Sequence, residues 1–325
     1  MGSIELIAAE VLQAEERIRS YFRYTDLEPA PSLCHRTTTV HCKLENRQPT
    51  GSFKVRGACN KLLAMPGASR QRGVVAASTG NHGAAVAYCA NLLQITSLVF
   101  VNEAAAPVKV RAIERLGALV RHAGRDAVET EAIAREYARS EDLTYVSPYN
   151  DLHVVGGQGT VGYELAQQLD QFDTVFVALG GGGLISGLAG YLKSVRPEVE
   201  IVGCSPVNSP VMIESLRAGE IVEMPSLPTL SDGTAGGVEP GAITFDLCRE
   251  LVDRFVTVSE DAIAASLRSF MRAQHQLVEG AAAVALAAYR QEWDRLAGRN
   301  VVIVICGGNI DLDTLRRVLS DTPPD

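Results

Sequence analysis

The chain has 325 residues, enough for two domains or one large α/β unit, and 46% hydrophobic with 21% charged residues is an ordinary globular composition. With 30 Lys and Arg against 38 Asp and Glu, the net charge is −8, which argues against nucleic acid or an anionic membrane as partner. Seven scattered cysteines without a C-x-x-C pair suggest reduced thiols and a cytoplasmic protein, and no apolar run approaches a membrane span.

The opening MGSIELIAAEVLQAEERIRSYF spaces Ile7, Val11, Ile18 and Phe22 helically and carries four glutamates, unlike a basic, uniformly apolar leader. In CHRTTTVHC (34–42), two Cys and two His fall within nine residues, and zinc must be weighed. His41 and Cys42 are adjacent in a β-like run and point to opposite faces, and no second ligand pair follows; a strand is expected and no metal. From residue 73 onward, Val- and Ile-rich runs alternate with helical stretches: GVVAAS (73–78), SLVFV (97–101), DTVFVAL (173–179), EIVGCS (200–205) and NVVIVICGGN (300–309). That alternation predicts βαβ units and an α/β fold with largely parallel sheet. RDAVETEAIAREYARSEDL (125–143) reads as an amphipathic helix with a solvated face. Segment 226–245, rich in Gly, Pro, Ser and Thr, reads as a long loop of the kind found at active sites.

Four segments carry chemistry. In GSFKVRGA (51–58), Lys54 follows Phe53 at a helix start; a nucleophilic lysine needs a site that favours its neutral amine, and Phe53 suits a planar ring. A plain surface lysine is the alternative on this segment alone. In LGGGGLISG (179–187), four glycines between a strand and a helix free backbone N–H groups to converge on a phosphate. Ile185 occupies the place of the third glycine of a dinucleotide fingerprint, and no Lys-Ser/Thr follows, so a nucleotide is not indicated. In STGNHG (78–83), Ser78, Thr79, Asn81 and His82 offer donors at a helix N-terminus suited to a carboxylate, or simply cap the helix. His82 reads equally well as a structural histidine. In VICGGN (304–309), Cys306 ends the last strand, at the edge where α/β proteins collect ligand contacts or merely pack. A lysine amine, an aromatic support, a phosphate cradle and a carboxylate loop together describe pyridoxal phosphate carrying an amino acid.

With GSFKVRGA, STGNHG, GGQGTVGYEL (156–165) and GGGGLISG in that order, and VEGAAAV (278–284) and VICGGN following, the sequence resembles the fold-type II pyridoxal-phosphate enzymes of the threonine dehydratase, serine dehydratase and serine racemase branch, over residues 44–312. The resemblance implies two open, mostly parallel-sheet domains with the cofactor between them: a large one, 1–72 and 149–325, and a small mobile one, 73–148, that closes over substrate. It implies that Lys54 holds the cofactor as a Schiff base and acts catalytically, that Phe53 packs on the ring, and that Asn81 bonds its 3-hydroxyl. Gly180, Gly181, Gly182, Gly183 and Leu184 would hold the phosphate, and Cys306 would face the pyridine nitrogen. Ser78, Thr79, Asn81 and His82 would bind the substrate carboxylate.

The implied activity is β-elimination from a β-hydroxy amino acid, by default L-threonine or L-serine, giving a 2-oxo acid and ammonia, in a homodimer. Thr79 stands where serine racemase carries a serine that acts on the opposite face, which weakens racemization without removing it as the alternative. Ser205 and Val211 stand where some relatives carry a metal-binding acidic pair, so no divalent site is expected. The end at Asp325 argues against a feedback-regulated type. The 226–245 segment differs from that of serine racemase, which keeps larger substrates open: phenylserine, hydroxyaspartate or a hydroxyectoine-derived compound.

Overall fold

A computed structural model describes residues 2–320. Among them are ten strands: β1 (Leu27–Pro29), β2 (Thr39–Leu44), β3 (Val74–Ala77), β4 (Ser97–Val101), β5 (Leu119–His122), β6 (Thr144–Tyr145), β7 (Thr174–Ala178), β8 (Glu200–Pro206), β9 (Arg254–Val258) and β10 (Asn300–Ile305). They build two sheets. One has the order β1-β2-β10-β7-β8-β9 and is parallel except for β1; the other has the order β5-β4-β3-β6 and is wholly parallel. The fold is α/β, as the alternation of runs predicted, and the expected strand in CHRTTTVHC is β2, with Cys42 buried on one face and His41 half-buried on the other.

Strand order decides where a ligand can sit. From β7 the chain runs outward through β8 and β9, while β10 lies on the other side of β7. Likewise β3 leads to β4 and β5, with β6 on its opposite side. Each sheet therefore has one point where successive connections depart in opposite directions, and a crevice opens at the strand C-termini there. In the first sheet that point carries Gly180–Gly183 and Cys306; in the second it carries Ser78–Asn81 and Pro148.

Helix packing explains a motif that the sequence left without a role. GGQGTVGYEL lies in the helix Leu152–Gln168, which is clamped between the helices Lys54–Ala64 and Gly183–Val195. A Cβ on Gly157 would lie 2.6 Å from Gly57 Cα, and one on Gly159 would lie 2.7 Å from the Gly187 carbonyl oxygen. The glycines allow backbone-to-backbone contact, so the helix bearing Lys54 and the helix after the glycine cluster are held at fixed distance from one another.

Charge fixes the angle. Arg56, fully buried, donates to both oxygens of Glu45 (2.7 and 2.8 Å), both oxygens of Glu164 (2.7 and 2.8 Å) and Thr160 Oγ1 (3.0 Å). Lys43, also fully buried, donates to Glu164 at 2.5 Å and to the Thr25 carbonyl at 2.9 Å. Burial would raise the Glu164 carboxyl, but Arg56 and Lys43 against it hold it below the usual carboxylate range. Removing one partner strands buried charge, so Glu164→Ala should cost about 3–5 kcal/mol, read as a lower urea midpoint. Because the folded pKa of Glu164 is lowered, its contribution is complete above the usual carboxylate range and fades as pH falls beneath it. The gap between wild type and variant should therefore narrow in acid.

Candidate active site

The turn before Lys54 takes its shape from the far end of the chain. Ser52 bridges Gly307, Phe53 N donates to the Cys306 carbonyl at 3.1 Å, and Gly308 N donates to the Gly51 carbonyl at 2.9 Å. Lys54 then opens the helix Lys54–Ala64. Its Nζ donates to the Pro148 carbonyl at 2.9 Å, reaching from the first sheet to the loop after β6, and lies 5.2 Å from the centroid of the Phe53 ring. Desolvation pushes the amine down to about 8, against the fields of Cys306 and Glu279, which favour its charged form. A useful fraction is thus neutral near physiological pH, the state that attacks a carbonyl. The Ser52 hydroxyl beside it is buried without a protein partner.

Following β7, Leu179 N extends the ladder to the Cys204 carbonyl, and the glycine turn begins. Gly182 has φ +86°, in the left-handed region, and Gly183 starts the helix Gly183–Val195. A Cβ on Gly181 would run into the Tyr149 ring, and one on Gly180 would lie 2.9 Å from Thr234 Cα. The first backbone bond of the helix runs from Ser186 N to Gly182 O, so the amides from Gly180 to Ile185 find no protein acceptor among the described residues. These are the free donors and dipole end that an anion requires.

Ser78 and Thr79 follow β3, and the helix Asn81–Leu92 begins at Asn81. Ser78 Oγ accepts from Gly80 N at 3.1 Å. The His82 ring is buried with Nε2 2.8 Å from the Val146 carbonyl oxygen, and burial pushes its pKa down to about 3. His82 is therefore a neutral, inward-facing ring, leaving only its backbone N–H for a ligand at the helix start. Cys306 is buried, and burial pushes its thiol well up, so it too is neutral.

Two residues join this group that the sequence did not single out for a role. Glu279, within VEGAAAV, is 3% exposed and accepts from Asn81 Nδ2 at 2.9 and 3.0 Å. Asn309, within VICGGN, donates through Nδ2 to Asn81 Oδ1 at 2.7 Å. Pro148 and Tyr149 also line the site, the first through its carbonyl and the second through its ring. Nothing marked them, since every residue has a carbonyl and Tyr149 stands outside any motif.

The donor set fits pyridoxal phosphate: a lysine of lowered pKa, an anion cradle with no room for side chains, an amide, and a neutral thiol at the end of β10. Adding the cofactor to cofactor-free protein should produce a visible band. Its rate of appearance should climb with pH and level off above about 8, where Lys54 has lost its proton. Stopped-flow absorbance reads that profile, and Lys54→Ala should never develop the band.

Residues 18–307 match the family described as pyridoxal-phosphate dependent enzyme. The L-threonine ammonia-lyase of Thermotoga maritima is 38% identical over 312 residues, covering 96% of this chain and 77% of that protein. Among solved structures, the processed form of threonine deaminase isoform 2 from Solanum lycopersicum superposes with a TM-score of 0.92 at 31% identity, over 98% of this chain and 92% of that one. Maize serine racemase gives a TM-score of 0.89 at 29% identity, over 96% of each chain. The chain therefore belongs to the pyridoxal-phosphate dependent enzymes, in the branch of the threonine and serine dehydratases and serine racemases.

Proposed function

We propose that this protein is an ammonia-lyase that converts L-threonine or L-serine to a 2-oxo acid and ammonia. The observation that carries the reading is the meeting of Lys54, Asn81 and the glycine turn at one joint, in a chain 38% identical almost throughout to an L-threonine ammonia-lyase. Pyridoxal phosphate, when bound, supplies the electron sink for the pair left at the substrate Cα. Lys54 Nζ, the one amine at this joint among the described residues, takes the α-proton. The β-hydroxyl departs with a proton as water, and the enamine left behind takes up one water as it releases ammonia and the 2-oxo acid. Phe53 would support the ring, Gly180 to Leu184 would hold the phosphate, and the neutral Cys306 thiol would face the ring nitrogen without protonating it.

The substrate carboxylate binds Ser78, Thr79, Asn81 and the backbone of His82 at the start of the helix Asn81–Leu92, where N–H groups and the helix dipole favour an anion. Residues 73–148 form a small mobile domain, and 1–72 with 149–325 a larger one. The second sheet supports that division, since all its strands fall between residues 74 and 145. Arg135, on the helix Ala127–Ser140, pairs with Glu239 of the long loop at 2.5 Å and so ties the small domain to the large one. The protein works as a cytoplasmic homodimer.

Ammonia and 2-oxo acid release across L- and D-β-hydroxy amino acids tests the reading. Wild type should favour the L-series, and Lys54→Ala should fall by at least about four orders of magnitude, the upper range for removing a positioned acid–base group. A protein that binds the cofactor yet is silent across the panel would sink the dehydratase reading. The likeness to maize serine racemase sustains one second reading, in which the Thr79 hydroxyl serves the opposite face; chiral chromatography of recovered serine would reveal its D-isomer.

A further inference from the structure

We propose that Glu279 and Asn309 are positioning residues that dictate which end of the Asn81 amide faces the cofactor, holding one Nδ2 proton ready for its phenolic oxygen. The inference rests on the cofactor assignment above and goes beyond it, because neither residue touches the site's chemistry directly.

An asparagine amide presents a donor at one end and an acceptor at the other, and its two orientations have almost the same shape. Here one end is decided by a group that cannot change role, and the other by a carboxylate. On one side, Asn309 Nδ2 donates to the Thr50 carbonyl at 2.7 Å. A carbonyl only accepts, so the amino end of Asn309 is fixed there. The same amino group donates to Asn81, and Oδ1 of Asn81 must face it. On the other side, the Glu279 carboxylate lies 2.9 and 3.0 Å from Asn81 Nδ2 and accepts from it. Two independent anchors thus demand the same orientation. Asn81 Nδ2 carries two protons that diverge by about 120°, and the two oxygens of one carboxylate lie too close together to take both, so they share one N–H and the other is left over.

The surroundings are built to admit that carboxylate. A Cβ on Gly307, the residue after Cys306, would lie 2.6 Å from Glu279 Oε1. Glu279 N donates to the Gly307 carbonyl at 3.1 Å, and Asn309 N donates back to Glu279 Oε2 at 3.0 Å. Lys54, Asp232 and Cys306 are the titratable groups around it. Burial, with Asp232 adding to it, pushes Glu279 up to about 7 against the bonds from Asn81 and Asn309 and the field of Lys54. The carboxylate is held in this costly place by donors that all belong to the Asn81–Asn309 network.

The test compares Glu279→Gln, Glu279→Met and Asn309→Asp as full-length proteins. Gln keeps an acceptor for Asn81; Met keeps the bulk and removes it. The exposed Asn309→Asp change replaces a donor by an acceptor, leaving Asn81 Oδ1 opposite a carboxylate. Pyridoxal-phosphate affinity and the position and pH midpoint of its visible band are measured, along with inorganic phosphate affinity of the cofactor-free proteins. Glu279→Met and Asn309→Asp should weaken cofactor binding about tenfold and displace the band, while Glu279→Gln keeps wild-type affinity and band position and phosphate affinity is unchanged in all three. Wild-type bands and affinities in both Glu279→Met and Asn309→Asp would overturn the proposal. So would a parallel loss of phosphate affinity, which would make the pair merely structural. A wild-type protein that develops no band would overturn the cofactor assignment and this proposal together; unaffected variants overturn this proposal alone.

Discussion

Arg56 is fully buried, and its hydrogen bonds end on Glu45, Glu164, Thr160 and Thr25. Glu45 follows β2, while Thr160 and Glu164 lie on the helix Leu152–Gln168, so one guanidinium ties three elements together. A cluster of buried charges is a poor source of net stability, because desolvation consumes most of what pairing returns. What a planar fork with five donors does provide is direction: each carboxylate is met in its own plane at one angle. Lys54 is two residues away on the same helix. The glycine contacts with the helix Leu152–Gln168 set the distance and the arginine sets the rotation, so the reactive amine inherits its place from residues that never meet a ligand.

Around that amine the protein spends little fixed charge. His82 and Cys306 are neutral, Glu279 is pushed up to about 7, and Lys54 down to about 8. The anion cradle uses backbone amides and a helix dipole rather than lysine or arginine. Such a site suits a cofactor that brings its own negative phosphate and its own electron sink. The charge that changes during reaction is then mainly the proton on Lys54, and it responds to a low-dielectric environment rather than to a crowd of compensating ions.

Much of this was legible in the sequence for a definable reason. Strands β3, β4, β7, β8 and β10 are covered on both faces, so they read as continuous Val- and Ile-rich runs. By contrast β5, Leu-Val-Arg-His, lies at a sheet edge with Leu119 64% exposed, and β6 is two residues long; neither carries a pattern. The order of strands was out of reach, since β2 pairs with β10 and no local signal encodes that. Within the site, Lys54, the glycines and Asn81 stood out by residue type: an amine after an aromatic ring, a run without side chains, and an amide at a helix start. Glu279 and Asn309 did not, because an acid and an amide are ordinary until folding brings them against Asn81. The role of GGQGTVGYEL was hidden likewise: its glycines answer to other helices, which the sequence names only at a distance.

The bridge between Ser52 and Gly307 also governs when the site comes into being. The lysine turn is shaped by backbone bonds to Cys306, Gly307 and Gly308, which are made long after it. Contacts of such long sequence separation form slowly, because a large loop must close before they return anything. On a ribosome the second sheet, complete by residue 145, has all its strands long before β10 emerges. The amine therefore reaches its desolvated position only after β10 has been made and has docked beside β2 and β7. A chain that lacks β10 and the turn after it has the lysine without the backbone that presents it, and the reactive position is a late product of folding rather than its seed.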